Sequence, residues 1–317
     1  MDMLETMKES IREALPGLDL VLGWERGYDN LHATPLFMKT AEDVDRLILG
    51  PTCVQGLAVH LPSLKGKKVG IVVKGCDSRA VVQLLRENLL DRENLVIFGF
   101  GCDGVVSLKR LARVIDDLDS VQSVEKKGDR LAVTTGSGDH DLAFDDVCAA
   151  QCLDCAHPNA VVSDHFAGPR LEPRVPAEGK TALERFEEKP LEERFDFWKQ
   201  EMQRCIRCYA CRNACPMCVC RDHCLAVSRN SRFVSQESAP TENFMFQLIH
   251  VMHLAGRCVS CGECERACPM DIPLGLLRAK STQTTTDLFN QQAGLDMEAP
   301  LPLLSFKPQE ETIEEHE

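Results

Sequence analysis

The sequence predicts an α/β N-terminal domain built on a parallel sheet, followed by a mainly α-helical domain. Three observations carry this. The first is a pair of almost wholly apolar runs, 68–73 (KVGIVV) and 94–98 (NLVIF), each followed by a helical pattern. Strand, helix, strand, helix implies parallel strands joined by right-handed crossovers. The second is a pair of cysteine quartets of identical spacing in the last third of the chain. The third is the helical patterning of the 42 residues between Cys215 and Cys258.

In chain order, Leu4, Met7, Ile11 and Leu15 lie at helical spacing, so the N-terminus reads as an amphipathic helix rather than a signal peptide. A buried strand at 68–73 leads into a helix at 77–88, with Ala80, Val81, Leu84 and Leu85 inward and Asp77 or Ser78 as its cap. A second buried strand at 94–98 leads into a helix at 105–116, and 121–135 reads as a hairpin turning at Lys127-Gly128-Asp129. This α/β domain is assigned to 1–168. Residues 169–200, with Pro169, Pro173, Pro176 and Pro190 among charged runs, form a linker and a solvated helix. The helical domain is 201–276, and 277–317 is an acidic tail.

The quartets carry the chemistry. They read Cys205-x-x-Cys208-x-x-Cys211-x-x-x-Cys215-Pro216 and Cys258-x-x-Cys261-x-x-Cys264-x-x-x-Cys268-Pro269. This is the spacing that holds paired [4Fe–4S] clusters, in which the fourth cysteine of each run ligates the other cluster. Cys205, Cys208, Cys211 and Cys268 are therefore assigned to cluster 1. Cys258, Cys261, Cys264 and Cys215 are assigned to cluster 2. Zinc is the competing metal, but it gives no reason for a third cysteine at two-residue spacing followed by Cys-Pro. The odd count of 17 cysteines, with no secretory signal, argues against a disulfide framework.

Nine cysteines lie outside the quartets. Cys76 and Cys102 follow the two predicted strands, at the carboxyl ends where α/β sheets bind ligands. With Cys152 and Cys155 they form a candidate third [4Fe–4S] site, for which Cys148 is a possible substitute. Cys53 reads as a packing thiol. His157 and His165 read as local hydrogen-bonding residues. Cys218, Cys220 and Cys224, with His223, are left open between a further metal site and packing. Gly99, Gly101 and Gly104 match a dinucleotide fingerprint, with Asp119 downstream. The competing reading is a glycine-rich cluster loop, since Cys102 sits inside it.

Residues 65–168 resemble the beta-subunit family of deazaflavin-reducing hydrogenases and formate dehydrogenases. The resemblance rests on Cys76, Cys102, Cys152-Leu153-Asp154-Cys155, Ala160, Asp164 and Gly168. Gly75 stands where that family has proline, and no Ser-Gly-Gly flavin segment is present. The second half, through Gly256-Arg257-Cys258 to Ile272-Pro273-Leu274, resembles the α-helical dicluster ferredoxin domain of heterodisulfide reductase C subunits. The Cys218 region resembles anaerobic sulfite reductase A subunits.

The resemblance implies an iron–sulfur electron-transfer subunit of an anaerobic cytoplasmic oxidoreductase complex. Its partners would be hydrogenase, formate dehydrogenase or heterodisulfide-reductase-like redox subunits, with FAD as a possible further cofactor. One alternative is a flavin-dependent reductase that itself exchanges hydride with deazaflavin or NAD(P)H. Another is a zinc-bearing structural or assembly protein. A net charge of −13 argues against a nucleic-acid partner. No stretch is long and apolar enough to span a membrane. So many free thiols imply a reducing compartment.

Overall fold

The structure is a computed structural model that describes residues 2–220, 224–226, 235 and 237–304. The first half is an α/β unit on a five-stranded mixed sheet. Its strands are β1 (Leu20–Arg26), β2 (Ala33–Met38), β3 (Val69–Val73), β4 (Leu95–Phe100) and, after a separate three-stranded sheet, β8 (His165–Ala167). The order is β2-β1-β3-β4-β8. β3 lies parallel to β1 and β4 with Val69 opposite both Leu20 and Leu95, and β8 lies parallel to β4. Only the β1–β2 edge is antiparallel. The parallel centre is as predicted, and all five residues of β3 are buried. The antiparallel edge was not read from the sequence.

The N-terminal helix Met3–Ala14 buries Met7 and Ile11, as its spacing requires. The helix after β3 is Gly75–Arg86, two residues earlier than predicted and capped at Lys74 rather than at Asp77 or Ser78. Gly75 permits this start. A Cβ there would sit 1.8 Å from the His157 carbonyl oxygen, which also accounts for the missing family proline. The helix predicted at 105–116 shrinks to Leu108–Leu111 under a Ser107 cap. Backbone groups on either side of it pair instead with 51, 147 and 105–149 partners, as in Val106 N–H to Pro51 O at 2.8 Å and Ser107 N–H to Val147 O at 2.8 Å.

The predicted hairpin is present as β5 (Ser123–Lys127) and β6 (Arg130–Thr135), turning through Gly128 at φ 58°. A third strand, β7 (Gly138–Ala143), extends it into a meander. Its inner face packs on a second small core around Leu111, Leu131, Phe144 and Cys148.

The second half is helical: Leu191–Arg204, Pro240–His253 and Leu274–Phe289, with short turns after each cysteine run. Helix Leu274–Phe289 runs across the boundary drawn at 276. Beyond it the chain returns to the α/β unit, where Ala293 joins the main core. Arg86 Nη2 donates to the Ala299 and Pro300 carbonyls at 2.7 and 2.9 Å. The glutamate-rich end of the predicted tail lies outside the described residues. The halves are joined by polar contacts: Arg257 to Glu87 at 2.7 Å, Arg113 to Asp271 at 2.7 Å, and Lys109 Nζ to the Glu265 carbonyl at 3.0 Å. No helix among the described residues is long and apolar enough to cross a membrane.

Candidate metal centres

Three groups of cysteines come together. Cys205, Cys208, Cys211 and Cys268 line one cavity, closed by Phe246, Ile272 and Leu274. The fourth thiol thus comes from the other run, as the swapped spacing predicts. Cys215 in turn acts electrostatically on Cys258, Cys261 and Cys264. Cys76, Cys102, Cys152 and Cys155 line a cavity of about 290 Å³. Segment 157–161, which follows Cys155, is tied to the two strand ends. The Pro158 carbonyl accepts from Cys102 N–H at 2.9 Å, and Val161 N–H donates to Ser78 Oγ at 2.9 Å.

The two ferredoxin-like runs share a backbone. Arg207 and Tyr209 have φ of 53° and 61°; Ser260 and Gly262, at the same places in the second run, have 55° and 74°. Left-handed residues curl each loop so that amides face sulfur. The Arg207 amide bonds Cys205, Ser260 bonds Cys258, and Glu263 bonds Cys261. Met217 does the same for Cys215, Gly104 for Cys102, and His157 for Cys155. In all six the donor is two residues beyond the cysteine. Such N–H bonds to sulfur stabilise thiolate and tune a metal centre.

Two buried cysteines stand apart from the three sets. Cys148 is fully buried in the second core, absent from the 290 Å³ cavity, and faces the Asp145 carbonyl. It is not brought to the site for which it was a possible substitute. Cys53 is likewise a packing thiol, pushed up to about 12 by burial.

Burial dominates the thiols. It pushes Cys211 up to about 11 and both Cys152 and Cys264 up to about 12. None of the cysteines forms a disulfide. Thiols gathered in sets of four, most of them shielded and each set with at least one amide-bonded sulfur, fit a [4Fe–4S] donor set and are wasteful as packing. A second feature also fits. The Arg278 guanidinium is buried, yet its Nε and Nη1 have no hydrogen-bond partner among the described residues. Donors left over in this way suit the sulfur of an inorganic centre.

Several residues here were not singled out from the sequence. Asn243, Gln247 and His250 follow at helical spacing on one face of Pro240–His253. Asn243 Nδ2 holds the Cys205 carbonyl at 2.7 Å, and Gln247 Nε2 approaches Cys211 Sγ at 3.8 Å. Polar residues at that spacing in an otherwise apolar helix were the available signal. His250 Nε2 lies 3.1 Å from Cys218 Sγ, and Arg278 Nη2 lies 2.6 Å from His250 Nδ1.

Cys215, Cys218 and His250 could geometrically hold an ion. Chemistry argues against His250 as a ligand. Arginine only donates, so Nδ1 accepts and Nε2 carries the proton toward Cys218. Burial, then the Arg278 charge, lower His250 to about 2, keeping it neutral. Cys218, Cys220 and Cys224 line a neighbouring cavity with His253. His223 lies outside the described residues.

The glycines of the nucleotide reading are packed. A Cβ on Gly99 would meet Ala160 at 2.6 Å, and one on Gly101 would meet the Pro169 carbonyl at 2.7 Å. Gly104 has φ 111° and precedes no long helix. The loop serves close approach to 159–171 and to Cys152 rather than opening a helix toward a pyrophosphate.

Fold and site together define an iron–sulfur protein of the electron-transferring oxidoreductase class. The 4Fe–4S dicluster domain family matches residues 204–272. The chain is 24% identical to an F420-dependent formate dehydrogenase subunit beta of Methanocaldococcus jannaschii, covering 92% of this chain and 90% of that one. It is 28% identical to the F420-dependent formate dehydrogenase 1 subunit beta of Methanococcus maripaludis, covering 89% and 88%. A solved F420-reducing [NiFe] hydrogenase complex from Methanosarcina barkeri, studied by xenon derivatization, aligns with 50% of this chain and 61% of that one. Its identity is 19% and its TM-score 0.39, too slight a likeness to define the fold.

Proposed function

We propose that this chain is the iron–sulfur relay subunit of a cytoplasmic oxidoreductase complex. It would connect a hydride-handling site to the redox centre of a formate dehydrogenase, hydrogenase or heterodisulfide-reductase-like partner. Cys205, Cys208, Cys211 and Cys268 would hold one [4Fe–4S] centre, Cys258, Cys261, Cys264 and Cys215 a second, and Cys76, Cys102, Cys152 and Cys155 a third. Bound there, such centres supply one-electron transfer.

One observation carries the reading. Cys261 lines the same cavity as Cys76, Cys102, Cys152 and Cys155. The ferredoxin-like half therefore abuts the strand-end thiols, and the three sets follow one another through the molecule. The series ends at Cys208, the exposed member of its set. This chain's residues hold and insulate: Phe246, Ile272 and Leu274 wall off one set, and Gln151 Nε2 ties the Cys261 carbonyl across the junction at 3.3 Å. The packed Gly99–Gly104 loop favours placing flavin on a partner.

Anaerobic purification of the native complex, with iron, sulfide, zinc and flavin measured on one sample, tests this. About twelve irons per chain are expected. Zinc without sulfide would overturn the reading. A flavin absorption band on the isolated chain would instead favour a reductase that exchanges hydride itself.

A further inference from the structure

We propose that Arg278, with Arg79 as its counterpart, supplies the positive charge between successive iron–sulfur centres and raises their reduction potentials. The proposal rests on the cluster reading above. Arg278 projects from helix Leu274–Phe289 and is 3% exposed. Its Nη2 donates to neutral His250 at 2.6 Å, while Nε and Nη1 have no partner. No carboxylate pairs with it among the described residues. Its charge acts on Cys211 of one set and on Cys215, Cys258 and Cys264 of the next.

Arg79 repeats the arrangement one gap earlier. It is 7% exposed, and its Nε and Nη2 donate only to the Ala293 carbonyl, at 3.2 and 2.8 Å. Its electrostatic neighbours are Cys76 and Cys155 on one side and Cys258 and Cys261 on the other. Each gap between thiol sets thus contains a buried guanidinium with no acidic partner among the described residues.

An uncompensated buried cation is costly, so a structure that keeps two of them needs a buried anion. A centre held by four thiolates is that anion. One-electron reduction by the subunit's reduced donor adds one negative charge and makes or breaks no bond to the protein. Arginine stays protonated throughout, so no proton need follow the electron. The reduced form gains most from the fixed charge. A guanidinium between two centres acts on both and raises the potential of each.

The test uses the full chain, purified anaerobically, with iron and sulfide counts and EPR-monitored redox titration. Arg278→Met should keep wild-type iron. At fixed ambient potential, the ratio of reduced to oxidised form of the two ferredoxin-like centres should fall about tenfold, about 59 mV for a one-electron couple. The centre at Cys76 should not move. Arg278→Lys should restore most of the shift and Arg278→Gln little of it. Arg79→Met should instead move the Cys76 and Cys258 centres and spare the Cys205 centre. Full iron with unmoved potentials overturns the proposal. Should Arg278→Met lose iron, equal potentials in the Lys and Gln variants overturn it. Wild-type protein without iron and sulfide would defeat the cluster reading itself, a distinguishable outcome.

Discussion

Both halves of the molecule bury a cation beside thiols, and they treat it differently. In the α/β half, Lys74 is 3.3 Å from Asp77, with both side chains almost fully buried. Its Nζ also donates to the Cys53 carbonyl at 2.7 Å and lies 4.3 Å from the Trp24 ring centroid. Burial opposes the charge, but Asp77 together with the Cys76, Cys102 and Cys53 thiols outweighs it and holds Lys74 above its ordinary range. In the helical half, Arg278 has a neutral imidazole and two unused donors. At Lys74 the α/β half balances its charge within the chain, whereas its Arg79 donates to a backbone carbonyl. The helical half leaves that balance to what the thiols bind. On the cluster reading proposed above, Arg278 needs a bound anion where Lys74 does not.

The largest effect that tests this contrast is loss of a centre. Cys215→Ser should remove about four irons per chain and the EPR signal of the Cys258 set, leaving the Cys205 set intact. Loss of the Cys205 signal alone would contradict the swap. Next comes removal of metal altogether. Chelation under anaerobic conditions should cut amide protection in 240–253 and 274–289 more than about tenfold, while 69–73 and 95–100 keep theirs. Equal loss in both halves would break the comparison.

Third is the balanced pair itself. Lys74→Met strands Asp77 in a buried site and should cost about 3–5 kcal/mol in denaturant unfolding, with or without iron. Strong iron dependence of that cost would mean Lys74 belongs to the metal rather than to Asp77. Glu87→Gln, at the junction of the halves, should cost about 1–2 kcal/mol, since Arg257 is mostly shielded there.

The smallest effect concerns a charge balanced by backbone and water. The Lys39 and Thr40 amides hold the exposed Asp43 carboxylate below its ordinary range. A depressed carboxylate contributes stability that is present above its unfolded value and lost as pH falls through the folded one. Asp43→Asn should therefore lower the melting temperature slightly at neutral pH, with the difference from wild type vanishing as pH falls through the folded carboxylate's range.

Much of the site was legible because ligation spacing is local. A Cys-x-x-Cys-x-x-Cys run must curl in one place, and strand β3 could be read from five consecutive apolar residues. The helix at 105–116 was misjudged because its backbone groups find partners in distant strands and loops, which periodicity cannot report. The β1–β2 edge was missed for a similar reason, since its pairing is set by where the sheet stops.

The sequence by itself determined which thiols the fold gathers, the crossing of Cys268 to the first run's set, and the parallel centre of the sheet. Each follows from short-range geometry and the burial of apolar runs. Only the tertiary structure separated Cys148 from the ligand-like thiols, brought Cys261 to the strand-end cavity, and set Arg79 and Arg278 between thiol sets. Those outcomes depend on how separate segments pack, and a buried charge has no local pattern that announces its partner.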